Sequence, residues 1–171
     1  PRFQRGRLAE SARLLTEAAA QFAEVERASL WQFTPDRSAI ECIDLFEASK
    51  GVHSSGIRLA VTDYPRYFHA VTTEEDLAAD DAHADPRTGE FSAGYLTPLG
   101  IGAMLDAPIV RGGQVDGVIC LEHVGTARAW QTEQRLFAVS VASLAALLLE
   151  QEERLRVEAE LRAATTASEA A

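Results

Sequence analysis

The fold is decided by AMLDAPIVRGGQVDGVICLEHV, residues 103–124. Two apolar runs in this stretch flank Gly112 and Gly113, a residue pair typical of a tight hairpin turn. The pattern therefore predicts two antiparallel strands. The second run also contains Cys120, Glu122 and His123, which are unusual residues for the middle of a buried strand. These three residues form either a reactive site or part of the scaffold.

A second hairpin is predicted upstream, from RASLWQF at residues 27–33 and AIECIDLF at residues 39–46. The intervening TPDRS supplies the Pro and Asp that tight turns favour. Side chains alternate between the two faces of a strand. Four residues of the second strand are therefore expected on one face: Ile40, Cys42, Asp44 and Phe46.

Helices are predicted at both ends of the chain. Apolar residues recur at helical spacing from Leu8 to Phe22 and predict an N-terminal helix over about residues 6–25. Near the other end, a single long helix is predicted to begin after Thr132 as its N-cap and to run to about residue 163. Its apolar first half is expected to pack on the sheet, whereas its polar second half is expected to project.

The middle of the chain, residues 48–99, is irregular and polar, with one short helix predicted to begin at Pro65. The order helix, hairpin, irregular middle, hairpin and helix predicts an α+β fold with an antiparallel sheet. We expect one domain over residues 1–150, followed by a projecting helix and tail over residues 151–171.

Composition disfavours several classes of function. The chain has 171 residues, of which 47% are hydrophobic, so one well-packed core is expected. Its net charge of -10 repels phosphate backbones and anionic lipid, so neither nucleic acid nor a membrane is expected as a partner. No run approaches membrane-spanning length and no signal peptide opens the chain. Two strand-borne cysteines indicate reduced thiols in a cytoplasmic protein.

Three stretches together resemble the GAF domain, a sensor module of histidine kinases, phosphodiesterases and diguanylate cyclases. They are residues 27–47, residues 95–125 and residues 127–150. The resemblance implies a central antiparallel sheet of five or six strands. Terminal helices would lie on one face, and a ligand pocket with short helices and loops on the other. It also implies a homodimer formed through the terminal helices, for which the candidate residues are Leu15, Phe22, Leu144, Leu148 and Leu155.

The resemblance does not identify a ligand. The Asn-Lys-x-Asp-Glu signature of cyclic-nucleotide-binding members has no match in this chain. Chromophore-binding members use a cysteine in the pocket loops, whereas Cys42 and Cys120 lie in predicted strands. No cofactor is therefore expected, and the ligand is an unidentified small molecule.

Strand alternation separates the three polar residues of the last strand. Cys120 and Glu122 share the pocket-side face and His123 points the other way, so the three cannot bind one metal ion. Cys120 is expected to act as a small buried apolar residue. Glu122 is either a scaffold residue or an anchor for a cationic or hydroxylated ligand. Asp106 is expected to hydrogen-bond loop amides.

The irregular middle supplies further candidates. Asp81 and His83 lie in DDAHADPRT, where Asp side chains form turns and caps more often than metal sites. The aromatic residues of this region either form a satellite core or line the pocket. The candidate ligand-binding residues are Phe68, Asp81, His83, Phe91, Tyr95, Met104, Cys120 and Glu122.

We expect a regulatory sensor domain that relays its ligand state through dimeric terminal helices to an output domain beyond Ala171. Two-component or cyclic di-nucleotide signalling proteins are the expected setting. One alternative is a thiol enzyme resembling the free methionine sulfoxide reductases, which share this fold and would use Cys42 and Cys120. Another is a degenerate domain that only dimerises. No serine elbow or glycine-rich phosphate loop is present, so no catalytic residue is expected.

Overall fold

The computed structural model describes residues 2–169, with side chains over residues 6–168; Pro1 and the last two residues of the expected tail lie outside this range. Within the described residues, seven strands form one antiparallel sheet in the order β3-β2-β1-β7-β6-β5, and β4 also pairs with β2. The long strands are β1 (Arg27–Phe33), β2 (Ala39–Glu47), β6 (Ile101–Arg111) and β7 (Gln114–Val124). The short ones are β3 (Val52–Ser54), β4 (Arg58–Ala60) and β5 (Leu77–Ala79). The helices are α1 (Arg2–Ala23), α2 (Pro65–Thr73), the single turn α3 (Thr97–Leu99) and α4 (Thr132–Glu169).

The α+β prediction is confirmed, with one difference in strand number. Three strands of three residues each come from the irregular middle, which raises the number from five or six to seven. Three residues are too few to display an alternating pattern, so the sequence could not reveal them. Both predicted hairpins are present, and the one between β6 and β7 turns on Gly112 and Gly113 with φ of 56° and 76°. Both values match the left-handed backbone of a type I′ turn.

The predicted alternation in β2 is wrong beyond Cys42. Trp31 pairs with Cys42 and Leu30 pairs with Asp44, so Ile43 is an extra residue without a partner in β1. Such a β-bulge reverses the alternation of the residues that follow it. Asp44 and Phe46 therefore lie on the face opposite to Ile40 and Cys42, against the terminal helices.

The sheet separates two hydrophobic cores. On one face, α1 and α4 pack against Leu30, Leu105, Ile119 and Leu121. On the other face, the sheet is covered by residues 64–73 and 80–99, which we call the lid. The layout of terminal helices on one face and short helices and loops on the other is as predicted.

Polar contacts also hold α1 against the sheet. The Thr16 hydroxyl donates to Asp44 Oδ2 at 2.6 Å. His53 on β3 lies between two carboxylates, with Nδ1 2.8 Å from Asp44 Oδ2 and Nε2 2.9 Å from Glu17 Oε1. These contacts join α1, β2 and β3, so α1 is bound to the edge of the sheet as well as to its apolar face.

The helix α4 begins at Thr132, but the capping residue is Gln131 rather than Thr132. The backbone N–H of Gln131 donates to Gln134 Oε1 at 3.0 Å, and its carbonyl accepts the N–H of Arg135 at 3.1 Å. This is the half of a capping box in which the third helical residue reaches back to the cap. A helix of 38 residues is about 57 Å long at 1.5 Å per residue.

Burial divides α4 into two parts. Its sheet-facing residues are buried as far as Leu149, whereas none of its described side chains after residue 150 is buried. By length and composition alone, the segment Thr132–Ser168 could cross a membrane, contrary to the expectation that no run approaches that length. In this fold its first half is the core helix of the domain, because Ala138, Ala142 and Ala145 pack on the sheet.

Gly117 permits the close pairing of β7 with β1. A Cβ atom at this position would lie 2.1 Å from the carbonyl oxygen of Trp31. Gly117→Ala is therefore expected to reduce the free energy of unfolding by about 1–3 kcal/mol, because the β1 backbone must move. Chemical denaturation monitored by tryptophan fluorescence measures the change.

The matched control is Gly94→Ala in the lid, where an added Cβ would have no neighbour within 4 Å. It is expected to change stability by less than about 0.5 kcal/mol. Equal effects of the two substitutions would contradict the close-packing explanation.

Candidate functional site

Two tyrosines of the lid hydrogen-bond to two buried carboxylates of the sheet. The Tyr67 hydroxyl donates to Asp106 Oδ2 at 2.5 Å, and the Tyr95 hydroxyl donates to Glu122 Oε1 at 2.7 Å. Both carboxylates are at most 1% exposed. Together with two neighbours, these residues form what we call the tyrosine–carboxylate cluster: Arg27, Tyr67, Tyr95, Asp106, Cys120 and Glu122.

Strand register brings the sheet residues of the cluster together. Asp106 on β6 pairs directly with Cys120 on β7, and Glu122 follows two residues later on the same face. Arg27 on β1 is the register partner of Glu122. The cluster therefore extends across three adjacent strands at the centre of the sheet, under the lid.

The charge of Glu122 is compensated. Arg27 Nε donates to Glu122 Oε2 at 2.7 Å, while Arg27 Nη1 donates to Glu47 Oε1 at 3.0 Å. Burial by itself would lower the pKa of Arg27, but the negative charge of Glu122 overrides it and the pKa is raised. Burial, together with the charge of Glu122, also raises the pKa of Tyr95, so its hydroxyl stays protonated as a donor.

Asp106 has no such compensation. Burial raises the pKa of its carboxyl to about 7, and the hydrogen bonds from Cys120 and Tyr67 only partly oppose the shift. The prediction that loop amides hold Asp106 is wrong: its partner is the phenol of Tyr67, which α2 places over β6. Burial and the adjacent Asp106 charge raise the pKa of Tyr67 as well.

Both thiols are buried and protonated at neutral pH. Burial raises the pKa of Cys42 to about 12. Burial, followed by the charges of Asp106 and Glu122, raises the pKa of Cys120 well above its usual value. A thiol nucleophile needs a lowered pKa and access to substrate. Neither cysteine has these properties, which opposes the thiol-enzyme alternative.

Aromatic side chains of the lid pack against one another on the face of the sheet that carries the cluster. Phe91 is 2% exposed, stacks on Tyr64 at 4.1 Å between ring centroids and meets Tyr67 edge-on at 4.9 Å. Five surface concavities of the described residues, of about 400 to 760 Å³, are lined by residues other than Tyr95, Asp106 and Glu122. Asp106 and Glu122 are themselves at most 1% exposed. In this conformation the lid is closed over the cluster.

The structure brings together six of the eight candidate ligand-binding residues. These six lie in the core under the lid or in the cluster: Phe68, Phe91, Tyr95, Met104, Cys120 and Glu122. Asp81 and His83 are instead exposed at the lid surface. Asp81 Oδ1 accepts the backbone N–H groups of His83 and Ala84, and the His83 ring contacts Ser92 Oγ and the carbonyl of Ile101. Their observed contacts are those of turn residues.

Sequence reasoning missed Arg27, included Tyr67 only among the aromatic residues of a satellite core or pocket wall, and assigned Asp106 a different partner. Only the register of β1 on β7 places Arg27 beside Glu122, and the sequence of neither strand contains that information. Over the described residues, no group of three His, Cys, Asp or Glu side chains could hold a metal ion.

A second set of contacts, which we call the junction, links the lid to both terminal helices. Asp80 in the lid accepts the N–H of Trp130 at 3.0 Å through Oδ1 and the N–H of Arg128 at 2.8 Å through its carbonyl. The Arg128 guanidinium then donates to the carbonyls of Ala23 and Glu24, both at 2.8 Å. One arginine therefore connects the lid to the end of α1 and the segment that precedes α4.

Solved structures with this architecture come from sensory and regulatory proteins. The GAF domain of PixJ from Thermosynechococcus elongatus, in its blue-light-absorbing form, aligns with a TM-score of 0.71 at 16% identity, covering 94% of each chain. The GAF domain of an Acinetobacter phosphoenolpyruvate-protein phosphotransferase aligns with a TM-score of 0.68 at 12% identity. The alignment covers 86% of this chain and 85% of that one. The bacteriophytochrome RpBphP3 of R. palustris aligns with a TM-score of 0.70 at 18% identity. The alignment covers 97% of this chain but 40% of that longer chain.

At these identities the likeness concerns the fold alone. No curated protein matches the sequence. The family model for the GAF domain, however, matches residues 7–149, which is most of the chain. This chain therefore belongs to the GAF domain family.

Proposed function

We propose that this domain is a regulatory small-molecule sensor whose ligand enters the tyrosine–carboxylate cluster beneath the lid. The observation that carries the proposal is the pair of buried hydrogen bonds from Tyr67 and Tyr95 to Asp106 and Glu122. A merely structural core is more economically built from apolar residues, because burying charged groups is costly even when they are paired. Polar groups converging under a cover are typical of binding sites.

The signal would leave through the junction. Asp80 belongs to the lid, and its contacts with Arg128 and Trp130 reach the segments that join α1 to β1 and β7 to α4. A ligand that binds one position of the lid more tightly than another would shift the equilibrium between two arrangements of the helices. Residues 151–171 would carry that shift, as a signalling helix and tail, from the domain over residues 1–150 to a covalently linked output domain.

The helices would act as a homodimer. Phe22 is 54% exposed although its ring stacks on that of Phe137, with 3.9 Å between the ring centroids. Leu144 is also 54% exposed. Leu148 and Leu155 are half-buried beside this stripe, whereas Leu15 packs mainly against the core. Leu14, Leu136 and Leu147 extend the exposed apolar surface. Pairing this surface with a second copy would remove it from water.

The neighbours with related folds support a sensory role within a larger signalling protein, such as a two-component or cyclic di-nucleotide system. We infer a cytoplasmic location from the net charge of -10 and the two free thiols. Neither a nucleic acid nor a membrane is proposed as a partner.

One observation favours a second candidate, a domain that binds nothing and only dimerises. Phe91 and Leu96 are lid side chains that are fully buried against the sheet, and they occupy the space that a ligand would need. Uptake of a ligand would therefore require the lid to open. The two candidates differ in whether any small molecule displaces these side chains.

Ligand binding is tested by native mass spectrometry of the freshly purified chain, followed by thermal denaturation with any molecule released. We expect a bound small molecule that raises the melting temperature, because it binds the folded state only. Tyr95→Phe should reduce the rise, since its hydroxyl contacts Glu122. The control Tyr64→Phe removes the hydroxyl of a tyrosine outside the cluster. A chain that co-purifies with nothing and responds to no metabolite fraction would favour the dimerisation-only candidate.

The relay is tested by Asp80→Ala, which removes the carboxylate that caps the Trp130 N–H. We expect loss of about 1 kcal/mol of local stability, seen as faster amide exchange at Trp130 and the start of α4. Asp81→Ala is the matched control, because the Asp81 carboxylate accepts the N–H groups of His83 and Ala84 within its own turn. Identical exchange patterns for the two variants would contradict a relay through the junction.

Dimerisation is tested by analytical ultracentrifugation of Leu144→Glu and Leu147→Glu. Both side chains are more than half exposed, so a charge there should dissociate the dimer and leave the fold intact. The control is Ile57→Glu, at an exposed apolar site between β3 and β4 and outside the terminal helices. A wild-type chain that stays monomeric at high concentration would show that the helices do not form this interface.

A further inference from the structure

One buried oxygen stands apart from the other polar atoms of the cluster. Among the described side chains, Oδ1 of Asp106 is the one buried nitrogen or oxygen atom without a hydrogen-bond partner. The residue is 0% exposed, so water at the surface does not reach it. An unsatisfied buried carboxylate oxygen is costly, and natural proteins rarely retain one without a reason.

The donors around Asp106 are already engaged. Tyr67 donates to the other oxygen of Asp106, while Tyr95 and Arg27 Nε donate to Glu122. The single S–H of Cys120 lies near both carboxyl groups and is 3.6 Å from Glu122 Oε1, and Oδ1 of Asp106 still has no partner. The closed cluster therefore has a surplus acceptor and no donor from these groups to supply it. When Asp106 is ionised, a complementary ligand must bring an N–H or O–H donor, because an acceptor would find no free donor there.

The charges around Asp106 also favour a ligand that donates hydrogen bonds. Glu122 has Arg27 as its counterion, whereas no basic side chain of the described residues forms an ion pair with Asp106. The groups that face Asp106 are Tyr67 from α2 and Cys120 and Glu122 from β7, with Tyr95 beyond them, and none of these is a cation. An incoming anion would meet Glu122, whose charge Arg27 already balances, and Asp106, whose charge no basic side chain of the described residues balances. An incoming cation would meet a carboxyl group that has no counterion among the described residues.

We propose that the ligand group received by the cluster is a cation with N–H donors, an amine, amidine or guanidine, which donates to Oδ1 of Asp106. This inference rests on the proposed sensor function and names the chemical class of its ligand. Opening the lid would give the ligand access, and the two lid segments would move together. Glu90 links them, because its carboxylate accepts the N–H groups of Arg66 and Tyr67 at the start of α2.

The proposal predicts a specific dependence on pH. Burial raises the pKa of Asp106 to about 7, so protons compete with a cationic ligand below that pH. An amidinium stays charged throughout this range, so its affinity should rise about tenfold from pH 6 to pH 8, as the ionised fraction of Asp106 rises, and then level off. A neutral ligand would lack this increase.

The test uses two sets of probes matched in shape: acetamidinium, acetamide and acetate, and benzamidinium, benzamide and benzoate. Binding is measured by amide chemical-shift titration of the whole chain at pH 6, 7 and 8. We expect an amidinium to shift resonances around Asp106 and Cys120, its amide counterpart to bind at least about tenfold more weakly, and its carboxylate counterpart not to bind.

Asp106→Asn should weaken amidinium binding at pH 8 at least about tenfold and remove the pH dependence, because the amide cannot ionise. The matched control Asp116→Asn alters a carboxylate that pairs with Arg111 at the other end of β7 and should leave binding unchanged. If Asp106→Asn does not fold, the pH profile of the wild-type chain decides.

The failures of the two proposals are distinguishable. Preferred binding of an amide or carboxylate at the cluster, or amidinium binding without pH dependence, would overturn the cationic class while leaving the sensor function supported. The same holds if neither amidinium binds but a co-purified metabolite shifts these resonances. If no probe and no metabolite perturbs the cluster, both proposals fail and Asp106 serves only to hold α2.

Discussion

Arg27 and Glu122 carry opposite charges on two hydrogen-bonded strands at the centre of the sheet, where water solvates neither side chain. Neither can be buried alone, because an unpaired charge in such a place costs several kcal/mol. The pair also needs its remaining hydrogen bonds, which explains why Glu47 approaches the guanidinium and Tyr95 approaches the carboxylate. The position of the lid above β7 is thus tied to the electrostatics of two strands.

That constraint links the two faces of the sheet. Arg27 opens the strand that follows α1, and Glu122 lies near the end of the strand that precedes α4. Changing the hydrogen bond between Tyr95 and Glu122 therefore acts on the strands from which the terminal helices emerge. The junction adds a second route from the lid, through Asp80 and Arg128, to the carbonyl end of α1. Both routes are short chains of direct contacts between named groups.

The sequence predicted the architecture because local chemistry determines it. Gly112 and Gly113 allow the left-handed turn of the β6–β7 hairpin, and the apolar faces of the helices follow helical spacing. The bulge at Ile43 escaped prediction because one extra residue leaves no trace in an alternating pattern. The partner of Glu122 could not be predicted for another reason. Arg27 is 95 residues from Glu122, and only the register of the folded sheet brings them together.

A lid that hydrogen bonds hold closed is compatible with a sensor, because a ligand can take the place of the lid side chains in those bonds. Replacing the phenol of Tyr67 or Tyr95 by a donor on a ligand conserves the number of bonds to Asp106 and Glu122, so the net cost of opening lies mainly in exposing Phe91. A lid held only by apolar packing would offer a ligand no equivalent exchange. A ligand that also supplies the bond missing from Asp106 Oδ1 gains a contact that the closed state lacks. That difference in affinity between two states is what shifts their populations.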